Sequence, residues 1–174
     1  MSDEVLTDED DNRPLAGFFG KLPNTGDFVG RGLPDAFRRN WDAWLTRHVA
    51  PLHRAGLAFP PGGLRFRLPS GGRLAAGVIL PSEDSAGRRF PLALLIIAEG
   101  DLTPAQIDPW CDAALNLQPE TLNPDDLWQA LDALAAPDPG EPASGPMQLW
   151  TSGKPAVTID AQDPETAIRQ LVEA

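Results

Sequence analysis

Apolar residues recur along the chain in distinct rhythms. Between Pro34 and Leu52, Phe37, Trp41, Trp44, Leu45, His48 and Leu52 fall at helical spacing on one face, with Arg38, Arg39 and Arg47 off it. This predicts a single amphipathic helix over Pro34–Leu52. Leu64-Arg65-Phe66-Arg67-Leu68 alternates strictly instead, which predicts a half-buried strand with both arginines toward water. Arg73–Leu80 is its partner across a Pro69–Gly72 turn, and the nearly all-apolar run Phe90–Ala98 reads as a central strand covered on both faces. Ahead of the helix, Leu15–Leu22 is a strand whose Phe18 and Phe19 point to opposite faces. Pro23–Asp27 then turns the chain, and Phe28-Val29 returns to complete a hairpin.

The second half is punctuated by polar residues followed by proline: Asp108-Pro109, Asn123-Pro124 and Asp163-Pro164, each predicting a capped helix start. Thr103-Pro104 with Gln106 has the form of an earlier capping box. Because Pro109 would interrupt a helix begun there, the expectation is a short turn and a restart at Pro109. Leu127, Leu131 and Leu134 form a core stripe, Met147–Thr151 and Ala156–Ile159 read as short strands, and Pro164–Val172 as a last helix burying Ala167, Ile168, Leu171 and Val172. The predicted class is α+β, an antiparallel sheet of N-terminal hairpin plus three-strand meander packed by helices. Residues 1–14 are expected to be a disordered acidic segment and residues 15–174 a single domain.

Composition changes the picture in two ways. The single cysteine, Cys111, rules out an internal disulfide, and with only His48 and His53 beside it few metal ligands remain. His48 and Cys111 are expected to be packed residues rather than catalysts. No apolar run approaches membrane-spanning length and no secretory signal precedes the fold, so the expectation is a cytoplasmic protein without cofactor or structural metal. The net charge of −11 hides an asymmetry: residues 1–12 hold six acids and no base, residues 13–89 carry +7, and residues 90–174 carry −12. This predicts a dipolar body whose basic part faces an acidic or phosphorylated partner surface, and argues against nucleic acid and membrane insertion.

No phosphate loop, dinucleotide fingerprint or nucleophile elbow is present. What stands out is a pair of polar loops, Lys21–Arg31 and Pro81–Arg89, each following an apolar strand and each combining carboxylate, glycine and cation. If the hairpin pairs beside the meander, both loops meet at one place on a rigid scaffold. The candidate binding residues are Lys21, Asn24, Asp27, Arg31, Ser82, Asp84 and Arg88, with an Asp27–Arg88 salt bridge as the purely structural alternative; within the second loop, Glu83 and Asp84 sit with Arg88 and Arg89, which predicts an ion-paired loop. Trp41, Trp44, Phe28 and Phe90 are expected in the core, with Asp42 placed to accept a bond from a tryptophan indole. Gly26 and Gly87 are expected to serve turns.

At these loops GFFGKLPNTGDFVGRGLPDAFRRNWDAWL and GVILPSEDSAGRRFPLAL resemble the paired signatures of the TagF family, accessory proteins of bacterial type VI secretion. Leu149–Gly153 resembles a third, weaker feature. The matching positions include Gly20, Lys21, Pro23, Gly26, Asp27, Phe28, Trp41, Asp42 and Trp44, then Pro81, Ser82, Asp84, Gly87, Arg88, Phe90 and Pro91. The resemblance implies a longin- or profilin-like domain. It also implies a non-enzymatic regulator that represses secretion post-translationally by binding a forkhead-associated scaffold protein, in a pathway linked to a Ser/Thr kinase and a PP2C phosphatase. Two other readings stand beside it. One is an enzyme or binding protein for an anionic small molecule using Lys21, Asp27 and Arg88; the other is a structural component of the secretion apparatus.

Overall fold

The computed structural model describes residues 13–173. The acidic segment expected over residues 1–14 lies, up to residue 12, outside the described residues. The strands are β1 (Leu15–Gly20), β2 (Val29–Arg31), β3 (Leu64–Ser70), β4 (Arg73–Leu80), β5 (Leu92–Ala98), β6 (Gln148–Thr151) and β7 (Val157–Thr158). The helices are α1 (Asp35–His48), α2 (Ala50–Arg54), α3 (Pro104–Asn116), α4 (Pro124–Asp132) and α5 (Glu165–Glu173). All seven strands join one antiparallel sheet in the order β2-β1-β5-β4-β3-β6-β7. The class is α+β as expected, with the hairpin paired onto the meander through β1 and β5.

Helices cover both faces of the sheet. On one face Phe18, Val78, Leu94 and Ile96 pack with Ile107, Trp110 and Cys111 of α3 and Leu127 and Leu131 of α4. On the other, Phe19, Phe66, Ile79 and Leu95 pack with Trp41 and Leu45 of α1 and Ile168 of α5. Phe18 and Phe19 therefore do face opposite ways, and β5 is buried nearly throughout. The β3–β4 hairpin closes through Gly71 and Gly72, both at positive φ, the geometry a two-residue turn between twisted strands requires.

Four local expectations are corrected. The first helix stops at His48 and α2 follows, because Pro51 has no N–H to donate to the Arg47 carbonyl. In contrast, α3 runs unbroken through Pro109. Thr103 and Gln106 form the full capping box, and burial of Ile107, Trp110, Cys111 and Ala114 outweighs one missing hydrogen bond. Arg65 and Arg67 do not face water; they are 1% and 8% exposed beneath α3 and the segment before it. The C-terminal helix buries only Ile168 fully. Asn123 caps α4 as expected, its side chain accepting from the Asp126 amide.

Candidate functional site

Gly20 ends β1 with φ +146, and a Cβ there would lie 2.1 Å from the Pro91 carbonyl oxygen. That close approach sets Lys21 against the second loop. Lys21 Nζ donates to Asp84 Oδ2 at 3.0 Å, and Arg88 Nε donates to the same oxygen at 2.7 Å. Asp84 Oδ1 accepts from the amides of Ala86 and Arg88, each at 2.9 Å. The side chain of Asp84 is fully inaccessible and that of Lys21 nearly so, whereas Arg88 is 65% accessible. Burial pushes the Asp84 carboxyl up, but the Arg88 amide, the Lys21 ammonium, the Ala86 amide and the Arg88 guanidinium together outweigh it. Asp84 is held well below the usual carboxylate range.

Three further bonds sew the loops together. Arg88 Nη2 donates to the Gly26 carbonyl at 2.8 Å, the Ser85 amide to Thr25 O at 2.7 Å, and Ser82 Oγ to Lys21 O at 2.6 Å. His53 Nε2 lies 2.9 Å from the Ser82 carbonyl and ties the loop to α2. The structure thus brings together Lys21, Ser82, Asp84 and Arg88, with Gly26 as backbone. It does not bring in the other three candidates. Asp27 accepts from the Phe28 amide at 2.7 Å, Arg31 pairs with Asp125 at 3.1 Å, and Asn24 donates to Leu122 O at 3.3 Å. The anticipated Asp27–Arg88 pair is replaced by Asp84 with Lys21 and Arg88.

Around this cluster, Phe90 is buried but Phe28 is not: expected in the core, it is 47% exposed. The Phe28 ring is still held, stacked on Phe19 at 6.1 Å, edge-on to Phe90 at 4.8 Å, and 4.8 Å from Lys21 Nζ. Asp42 accepts from Thr46 rather than from an indole, while Trp44 donates to Ala161 O at 2.8 Å and Trp41 Nε1 has no partner.

A second ionic cluster was not legible as a site. Arg65 donates to Asp108 at 2.8 Å and Asp112 at 2.6 Å, and Trp150 Nε1 donates to Asp108 at 2.8 Å. Arg67 pairs with Asp101 and Arg73 with Glu99, the latter at 3.1 Å. A signal existed: Asp108 and Asp112 stand one helical turn apart, as a helix face opposite a basic strand requires. Much of the basic-to-acidic asymmetry along the sequence therefore closes inside the molecule.

Among the described residues no group of three or more His, Cys, Asp or Glu is placed to hold a metal ion. Cys111 is buried, and burial pushes its thiol up to about 12, which leaves it unreactive. No described helix is long and apolar enough to cross a membrane.

The model of the TagF N-terminal domain, type VI secretion system-associated, matches residues 17–136, more than half of the chain and both loops of the cluster. The chain belongs to the TagF N-terminal domain family. No match was found among curated proteins. Among solved structures, PA0076 from Pseudomonas aeruginosa PAO1 is similar at 28% identity and a TM-score of 0.55, over 91% of this chain and 77% of that one. The Lys21–Asp84–Arg88 clamp joins two sequence segments that both lie inside the TagF match.

Proposed function

We propose that this TagF-family chain is a cytoplasmic, non-enzymatic regulator that represses type VI secretion post-translationally by binding a forkhead-associated scaffold protein. The observation that carries the reading is the family match across residues 17–136. The geometry of the cluster favours protein binding over small-molecule chemistry. Its one deeply buried carboxylate already holds two cations and two amides, which leaves Asp84 no free lone pair to act on a substrate. Of the candidate residues, those a partner can touch are the exposed Arg88 of the cluster and, outside it, the exposed Asn24 and Asp27 and the half-buried Arg31.

The test is capture of the purified scaffold protein by the purified chain, wild type beside Asp27→Arg/Arg31→Asp, with native circular dichroism as the folding control. Capture by wild type and weakened capture by the variant support the regulator and this binding face. Equal capture removes the face and leaves the regulator. No capture by wild type overturns the regulator.

A further inference from the structure

Phe28 leaves half its ring in solvent, yet the ring is held on three sides. Phe19 stacks on it, Phe90 meets it edge-on, and Lys21 Nζ lies 4.8 Å from its centroid. Lys21 is itself fixed by the buried Asp84. A ring fixed in advance gives up little conformational freedom when a partner covers it. Beside it opens a notch of 230 Å³, lined by Phe28 and Gly30 from the hairpin and by Arg38, Arg39 and Asp42 from α1. A Cβ at Gly30 would lie 3.1 Å from the Phe19 ring and 3.4 Å from Arg38 Cδ, so a side chain there would crowd the space between ring and cation.

The two arginines of the notch are exposed, and among the described residues neither makes a salt bridge. Arg13, Arg31, Arg65, Arg67, Arg73 and Arg88, by contrast, each meet an acid of their own chain. Asp35 and Asp42 share the helix with Arg38 and Arg39 but pair with neither, and Asp42 accepts from Thr46 instead. Two guanidiniums without an internal partner, beside a fixed aromatic ring, select a segment whose apolar side chain is flanked by carboxylates. The side chain enters the notch against Phe28. Each carboxylate takes a guanidinium, which can give it two parallel hydrogen bonds.

We propose that this notch between Phe28 and Arg38–Arg39 anchors the scaffold protein by seating an acidic segment of it that carries an apolar side chain. The notch rests on the regulator reading and adds to it the chemistry of the bound segment. Asp27 and Arg31 bracket Phe28 along the chain, so the notch belongs to the face on which the regulator reading places its partner.

The test measures the affinity of the purified full chain for the purified scaffold protein. Phe28→Ala removes the ring, and Arg38→Gln/Arg39→Gln removes both charges. Glutamine keeps helix propensity and, unlike glutamate, sets no like charge one turn from Asp35 and Asp42. Arg47→Gln, at an exposed arginine of the same helix that lines a different cavity, controls for net charge. Native circular dichroism checks each fold, and Phe28→Leu replaces Phe28→Ala if the latter loses it. Each notch variant is expected to bind about tenfold or more weakly than wild type. Salt should weaken the wild type more than the double variant, and Arg47→Gln should match wild type. Binding by wild type and by both notch variants alike removes the notch and leaves the regulator. Loss in only one of the two notch variants, or equal loss in Arg47→Gln, also removes it. So does tighter binding by the double variant, which makes the seated segment basic. No binding by wild type overturns the regulator and the notch with it.

Discussion

The two ionic clusters are inverted images of each other. In the loop clamp the carboxylate is buried: Asp84 has no accessible side-chain surface and Arg88 is 65% accessible. Beneath α3 the cation is buried: Arg65 is 1% accessible, and Asp108 and Asp112 are 32% and 61% accessible. A buried charge is tolerated only while its partners surround it, whereas an exposed partner removed from the rim is replaced by water. Each cluster therefore has one member it cannot lose, and that member has opposite sign in the two. The Asp84 clamp holds two loops. The Arg65 clamp holds a helix to a sheet.

Breaking the buried members should give the largest effects. Asp84→Ala strands Lys21 and two backbone amides and frees both loops. We expect it to have the lowest urea midpoint of the series by circular dichroism. Arg65→Ala comes next, with an expected loss of about 3 kcal/mol, the lower end for a broken buried pair because the remaining acids can rehydrate. The acid limb sharpens the contrast. Asp84 is held below the ordinary aspartate value of 3.8, so its contribution is complete above that value and is lost as pH falls through the lower folded one. In Asp84→Asn that part of the acid slope should vanish, while Arg65→Ala should leave it in place. Rim changes should be smallest: Arg88→Gln and Asp112→Asn each are expected to cost under about 1 kcal/mol. Equal losses from rim and buried members would dissolve the comparison.

The elements and their class were legible because periodicity reports burial. That the hairpin pairs beside the meander was only a condition in the sequence; the structure meets it through β1 and β5, and the meeting of the two loops follows from it. What failed turned on distant partners. Strict alternation in Leu64–Leu68 reads as one wet face, and nothing local tells Arg65 that Asp108 and Asp112 will cover it. Pro109 reads as a helix break, since the cap at Thr103 and the buried stripe after it act together only once α3 docks. Phe28 reads as core, yet β2 ends the sheet and leaves half the ring outside. In the candidate site, residue types identified the loops and the pairing of Asp84 with Arg88 inside one of them, but not that Lys21 would join Asp84 from the other loop while Asp27 stays apart.

The family match ends at residue 136, while the outer edge of β3 is paired by β6, residues 148–151. A chain trimmed to the matched span would keep every residue of the two loop signatures and still expose the backbone of Leu64–Arg67 as an open strand edge, a ready template for aggregation. Strands β6 and β7 thus serve as a hem on the sheet. Light scattering of a 13–136 fragment beside the full chain would show it, with self-association expected only in the fragment.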